Sequence, residues 1–264
     1  MSRVRPVPVF PARSVYMPPA VKVKSADDTV RKQREEAAQH VIAHFGDRLP
    51  DFRLMCFFDD EDWQALKGPG MAANRGAYIR KNYPLWQEAC RFVSGLAGFD
   101  HFIYLHGSTC LNEVGLTMTF AHELQHFVQC GTVPRLLAVN SLALVALQNL
   151  DRLDLEALGL RTCDIPVERE ARIVAKRVAE NLCGVEMVRQ YIDAKLAEFV
   201  TRQDAADWDC IRGLVASAPY DLAVETKLFF PRLRNCRSAL EREQANDPDF
   251  KGIDLDALLK GTGE

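Results

Sequence analysis

Residues 119–128 read Thr-Phe-Ala-His-Glu-Leu-Gln-His-Phe-Val and contain two histidines, His122 and His126, four positions apart. Residues at i and i+4 of an α-helix lie on the same face, about one turn apart. Both imidazoles can therefore point at one ion. Glu123 lies at a different angle, where its carboxylate can reach a water on that ion without displacing a ligand. The stretch predicts a metal-binding helix.

The pattern His-Glu-x-x-His is that of zinc hydrolases. Zinc lowers the pKa of a bound water to roughly 7, and a carboxylate such as Glu123 can then take its proton. The neighbouring residues agree with this interpretation, because Leu124 and Phe127 are uncharged and suit the packed wall around a metal. We therefore predict one Zn²⁺ per chain, with His122 and His126 as metal ligands and Glu123 as the catalytic base.

A catalytic zinc site needs a third protein ligand, and the residues directly after the motif do not supply one. Gln129 and Thr132 occupy the positions at which the metzincin pattern has Gly and His. Cys130 shares the face of His122 but lies about 12 Å away along the helix axis, whereas ligand bonds are about 2 Å. Cys130 is therefore predicted to be a buried thiol and not a ligand.

The remaining solution is a carboxylate on a later helix, predicted over Pro166 to Asn181. Ala171 and Ala175 share the face of Glu168 and would let this helix approach the metal helix closely. Glu168 is therefore the favoured third metal ligand. Glu170, roughly 200° away around the helix, is the alternative. Further carboxylates stand in less regular chain at Asp151, Asp154 and Asp164.

Over roughly residues 100 to 180 the chain resembles the gluzincin group of zinc metallopeptidases, in the motif, the strand signal before it and the Glu-containing helix after it. Glu168-x-x-Ala171 is also similar to the Glu-x-x-Ala-Asn segment of ImmA/IrrE-type regulatory peptidases, with Arg172 in place of Asn. The resemblance implies a zincin-like fold, zinc held by the two histidines and Glu168, and peptide-bond hydrolysis. It also implies that the strand at residues 102–107 is a sheet edge to which extended substrate pairs.

Composition sets limits on partners and compartment. The 264 residues are 48% hydrophobic and 26% charged, and the net charge is -3, so we expect neither a nucleic-acid nor a membrane partner. Eight cysteines without a Cys-x-x-Cys pair favour a reducing compartment over a disulfide framework. The most apolar stretch, Leu136 to Leu150, is too short to span a bilayer, and the N-terminus lacks the apolar run of a signal peptide. These features predict a cytoplasmic protein.

Periodicity predicts an α+β fold that is predominantly helical, with a small sheet next to the metal helix and a helical C-terminal half. Residues 1–26 are Pro-rich and basic and are predicted to be an extended arm, and residues 27–264 a single domain. Asp59 to Asp62 are predicted to be a solvated acidic loop. Helices are expected from residue 27 or 28 to 45 and over 77–98, 112–130, 136–150, 166–181, 185–201, 207–217, 221–245 and 254–259, with Pro231 forcing an interruption in the stretch 221–245.

The function predicted from these features is that of an intracellular zinc-dependent endopeptidase. Its substrates would be one or a few proteins or peptides, in a regulatory, toxin or defence role. Peptide hydrolysis needs a further donor for the oxyanion. His106, Tyr191 and Tyr220 are candidates by residue type alone.

The alternative is a non-catalytic, metal-stabilised helical protein that binds a partner or nucleic acid. Lys227, Arg232, Arg234 and Arg237 could form a basic patch for such binding. Glu123 argues for the enzyme, because a purely structural zinc site has no use for a general base.

Overall fold

The computed structural model describes residues 18–59, 76–81, 84–107, 112–150, 159–198, 202–215 and 219–262. As predicted, the fold is α+β and predominantly helical. The elements in chain order are β1 Ala20–Lys24, α1 Asp28–Phe45, β2 Leu54–Asp59, β3 Gly76–Arg80, α2 Pro84–Phe92, β4 His101–His106, α3 Glu113–Thr132, α4 Pro134–Gln148, α5 Pro166–Cys183, α6 Val185–Ala197, α7 Arg202–Gly213, α8 Leu222–Phe229, α9 Arg237–Asn246 and α10 Leu255–Lys260.

The four strands form one sheet in the order β1-β2-β4-β3. β1, β2 and β4 are parallel, whereas β3 runs antiparallel to β4, with Tyr78 opposite Ile103. β2 is buried along its whole length, as expected for a strand covered on both faces. Its side chains alternate between two cores, Cys56 facing one and Met55 the other. One core is closed by α1 and α3, and the other by α2.

Helix α3, which carries the metal motif, lies in the core between the sheet and the helical half. Phe120, Leu124 and Phe127 are fully buried there, together with Val174 and Ala175 of α5. α3 and α5 share the largest contact between any two described elements. A further core joins α4, α8, α9 and α10. The packing thus presses the two helices that carry the predicted ligands against each other.

Local signals placed most of these elements correctly. The Asp27 carboxylate caps α1 by accepting the backbone N–H groups of Thr29 and Val30, and Gly46 ends the helix. The predicted strand before the metal helix is present as β4, and the later helices lie within a few residues of their predicted positions. Caps and breakers act over a few residues, so they can be read without knowledge of the tertiary structure.

The prediction of one helix over residues 77–98 is wrong at its beginning. Gly76–Arg80 is strand β3, and the helix occupies only Pro84–Phe92. Proline has no N–H, and its ring clashes with the carbonyl four residues earlier, so a helix can begin at Pro84 but cannot pass through it. Pairing with β4 then determines the conformation of the residues before it.

Two further boundaries differ from the prediction. Ala20–Lys24, within the predicted arm, pairs with β2, so the sheet begins before residue 27. Asp59 is not a solvated loop residue: it is fully buried at the end of β2, and Lys24 Nζ lies 3.6 Å from its carboxylate. Residues 1–17 of the arm and the remainder of the acidic run lie outside the described residues.

Candidate metal centre

Helix α3 positions the motif by burial. Asn112 Oδ1 accepts the backbone N–H groups of Val114 and Gly115 at 2.9 and 3.2 Å, which starts the helix at the predicted place. From there most of its circumference is buried. The His126 side chain is enclosed within this packing, and His122 is partly exposed beside it. Surrounding side chains therefore restrict the orientation of both imidazoles.

The structure brings His122, His126 and Glu168 together. The two histidine Nε2 atoms are 3.1 Å apart, and each lies 3.3 Å from one oxygen of the Glu168 carboxylate. Glu168 is in the first turn of α5, and Ala171 and Ala175 are buried on the same face. Within the described residues, this is the one group of three such side chains close enough to share a metal ion.

The donor atoms of the three side chains lie close enough to share one metal ion. Zinc bonds of about 2.0–2.1 Å at tetrahedral angles place ligand atoms about 3.3–3.4 Å apart. The two histidine Nε2 atoms are 3.1 Å apart, and each lies 3.3 Å from a different oxygen of Glu168, so each of these contacts is close to that spacing. Two imidazoles and one carboxylate also form a donor set of catalytic zinc sites that keep one position open. These residues can hold a metal ion, and their chemistry suits zinc.

The charges of the three side chains depend on one another. Burial opposes ionisation of Glu168, but the two imidazoles outweigh it and hold the pKa of this carboxyl well below its usual range. Burial opposes protonation of His126 too, but Glu168 and the other acceptors around the ring raise its pKa to about 9. Burial lowers the pKa of His122 to about 4. At neutral pH these shifts favour a proton on His126 beside an ionised Glu168 and an uncharged His122.

Gln129 fixes the orientation of His126. The amide Nε2 of Gln129 donates to the Val167 carbonyl at 3.1 Å and to Glu170 Oε2 at 2.7 Å. Its oxygen must therefore face His126 Nδ1, 2.8 Å away, and accept a hydrogen bond from the Nδ1–H. This leaves Nε2 as the ring nitrogen of His126 that faces Glu168, and its lone pair can bind a metal ion once the ion displaces the Nε2 proton.

Glu170 is thus brought near the site in a supporting position and not as a member of the metal group. Asp164 lies at the start of α5, where it pairs with Arg161 at 3.3 Å. Cys130 does not belong to the metal group either. Asp151 and Asp154 fall outside the described residues. Sequence reasoning missed Gln129, although its position three residues after His126 places it on an adjacent part of the helix surface.

Replacing Gln129 by Leu should lower zinc affinity by about 10–100-fold, the usual cost of losing a partner of a ligand histidine. Leucine keeps the volume but removes the acceptor that fixes the His126 tautomer. Competition with a chromogenic chelator would measure the change, and Gln39→Leu on the exposed side of α1 is the control. Equal affinities in Gln129→Leu and the unmodified protein would show that the hydrogen bond does not position the ligand.

Glu123 lies beside the metal group without joining it. Its side chain is buried, and its carboxylate accepts a hydrogen bond from the backbone N–H of Tyr78 in β3. Burial raises the pKa of Glu123 to about 7, although the neighbouring His126 acts in the opposite direction. A carboxyl group with a pKa near neutrality can both accept and return a proton.

Strand β3 passes very close to this carboxylate. A Cβ atom on Gly76 would lie 3.1 Å from Glu123 Oε1 and 3.0 Å from Thr119 Cγ2. A side chain at this position would crowd Glu123 and Thr119, a close approach that the sequence alone does not reveal. The Tyr78 hydroxyl lies 2.7 Å from His101 Nδ1 and ties β3 to β4. β3 is therefore tied to the sheet where it passes beside Glu123 of the motif helix.

The sheet order corrects one expectation about the site. β4, which covers the predicted strand at residues 102–107, lies between β2 and β3 and is not an edge strand. The strand beyond it on the side of Glu123 is β3, which is antiparallel to β4. The prediction that β4 pairs with substrate is therefore wrong, because both of its edges are already occupied.

The three residues predicted as oxyanion donors have different surroundings. The Tyr220 hydroxyl donates to the Pro166 carbonyl at 3.1 Å. Tyr191 packs edge-on against Trp208, with ring centroids 5.7 Å apart, and His106 is the last residue of β4. None of these contacts directs a donor at the metal group. The positive charge of Arg172 acts on both His122 and Glu123. It contributes a lowering of each pKa, which for Glu123 is outweighed by burial.

Comparison with protein-family models, with curated proteins and with solved structures finds no match for this chain. Among the described residues, no helix combines the length and the apolar character needed to cross a bilayer.

The predicted basic patch is partly neutralised, because Arg237 pairs with Glu241 at 2.7 Å and with Asp256 at 2.6 Å. These ion pairs reduce the positive charge that the patch could offer to a nucleic acid.

Proposed function

We propose that the protein is a zinc-dependent peptidase with a zincin-like active site that hydrolyses peptide bonds in one or a few proteins of the cytoplasm. One observation carries this proposal. His122, His126 and Glu168 direct donor atoms at one another, with separations of 3.1 and 3.3 Å, close enough to share a metal ion, and a second carboxylate, that of Glu123, is held beside them. A site that served only to stabilise the fold would not need that second carboxylate.

His122, His126 and Glu168 would hold the ion. When bound, zinc would acidify a water and polarise the substrate carbonyl. Glu123 would accept the proton of the attacking water and then deliver it to the amide nitrogen of the leaving group. The Tyr78 N–H fixes the direction of the Glu123 carboxylate, and Gln129 fixes the imidazole of His126. Each reacting group is thus oriented before substrate arrives.

The edge of β3 supports a peptide as the substrate. β3 pairs with β4 on one side, and its other side supplies the Tyr78 N–H to Glu123. An extended peptide that added to this outer edge would gain backbone hydrogen bonds and pass beside the base. In this proposal β3 takes the substrate-aligning role that the sequence had suggested for β4.

A comparison of newly formed protein N-termini tests the proposal. The zinc-loaded protein and a chelator-treated sample would each be incubated with cell lysate, and new N-termini would be labelled and identified. We expect a small set of cleavage sites that disappears with chelation and returns when zinc is added back. Identical N-termini in both samples, together with full zinc occupancy, would favour a protein that uses the metal only for structure or binding.

A further inference from the structure

Two cysteines meet at the base of the ligand helix α5. Cys163 is fully buried in the short turn Thr162–Asp164 that leads into α5, and Cys210 is a partly buried residue of α7. Their thiols are in hydrogen-bonding contact, and the turn and α7 pack directly against each other. Cys163 precedes the predicted ligand Glu168 by less than two helical turns of chain.

The helices that carry this contact are already fixed relative to each other. Lys176 of α5 donates to three carbonyls at the C-terminal end of α7, those of Ile211, Arg212 and Leu214, at 3.4, 3.1 and 2.7 Å. Arg172 of α5 pairs with Asp207 of α7 at 3.4 Å. These noncovalent contacts fix α7 against α5 on both sides of Cys210 along the chain.

The two thiols differ in reactivity. The hydrogen bond from Cys163 lowers the pKa of Cys210 to about 7, against the effect of burial, and the positive charges of Arg161, Arg172 and Arg169 act in the same direction. The pKa of Cys163 is raised, first by its hydrogen bond to Cys210 and then by burial. Cys210 is thus the thiolate of the pair, and Cys163 is the partner that resolves it.

We propose that Cys163 and Cys210 form a peroxide-oxidisable dithiol site whose reversible disulfide clamps α7 to the start of the helix that carries Glu168. The site goes beyond the proposed peptidase activity and does not depend on it. Neither sulfur belongs to the His122–His126–Glu168 group, so the clamp forms with zinc in place.

The oxidation balances with hydrogen peroxide as the oxidant. The Cys210 thiolate attacks one peroxide oxygen; an S–O bond forms, the O–O bond breaks, and hydroxide leaves with the proton that Cys210 had lost. The Cys163 sulfur then attacks the Cys210 sulfur; the S–S bond forms, the S–O bond breaks, and the departing hydroxide takes the Cys163 proton. Two thiols lose two electrons, and one peroxide becomes two waters. A dithiol reductant reverses the result.

The test uses the zinc-loaded full chain treated with one equivalent of hydrogen peroxide. Free thiols are then alkylated, and the protein is digested without reduction for mass spectrometry. We expect a linked peptide pair containing Cys163 and Cys210, an unfolding temperature raised by several degrees, unchanged zinc content, and full reversal by dithiothreitol. The stabilisation follows because a cross-link restricts the unfolded chain.

Three variants test the separate roles of the two thiols and provide a control. Cys163→Ser should leave Cys210 as a sulfenic acid that dimedone traps, and Cys210→Ser should leave Cys163 unoxidised. Cys183→Ser, at a thiol that contacts Thr117 at 3.8 Å, should still form the link. The unmodified protein alone also decides the matter if a serine variant fails to fold. Disulfides to other cysteines, or oxidation of Cys210 beyond sulfenic acid with Cys163 still free, would overturn the proposal.

Discussion

Replacing Glu123 by Gln is expected to reduce peptide cleavage by about 10²–10⁴-fold, the usual contribution of a general base, with zinc still bound. Glutamine has the same shape and its oxygen can still accept the Tyr78 N–H, but it cannot take a proton from water. Glu123 is also outside the group of three ligand side chains. The loss should therefore appear in the rate of the chemical step and not in metal affinity.

Cleavage of a peptide spanning a site found in lysate would measure this loss, with zinc content determined on the same samples. Glu113→Gln, on the exposed first turn of α3, is the matched control and should retain the full rate. If Glu123→Gln cleaves as fast as Glu113→Gln, the carboxylate is not the base. If neither variant nor the unmodified protein cleaves while all bind zinc, the peptidase proposal itself fails.

The second large effect concerns the third ligand. Glu168→Gln should lower zinc affinity by more than the roughly 10–100-fold that partners of the ligands contribute, because it removes the negative charge that faces both imidazoles. Glu170→Gln, two residues away on the same helix, is the matched control. Glu170 touches Gln129 and not the metal group, so its replacement should have a much smaller effect.

Thermal unfolding with and without added zinc provides the readout. At a free zinc concentration about 100 times Kd, binding stabilises the folded state by about 2.7 kcal/mol. That corresponds to a rise of roughly 5–10 °C in Tm for a chain of this size. The rise should be present in the unmodified protein and in Glu170→Gln, and absent in Glu168→Gln. The reverse pattern would make Glu170 the ligand.

Much of the metal helix could be predicted because its signals are local. The i, i+4 spacing of His122 and His126 fixes their common face, and Asn112 and Asp27 cap helices through hydrogen bonds to N–H groups two or three residues later. The predominantly helical α+β class follows from periodicity in the same way. These features depend on residues within one or two turns of each other.

The choice of Glu168 over Glu170 required the packed structure, because both carboxylates were available by spacing and only the contact of α5 with α3 brings one of them to the histidines. The role of Gln129 has the same origin, since its amide is oriented by groups of α5 that lie about 40 residues later in the chain. The sequence shows which donors exist, and long-range packing decides which of them converge.

The sequence by itself predicted helix α3, the common face of His122 and His126 and the separate position of Glu123, because an α-helix has a fixed period of rotation. Only the tertiary structure decided that Gly76–Arg80 is a strand, that this strand and not β4 borders the site, and that Cys163 meets Cys210. Pairing with β4 outweighs the weak helical preference of five residues, and closeness between distant segments depends on how the helices and sheet pack. Local geometry thus specified the chemical groups, and packing specified their arrangement.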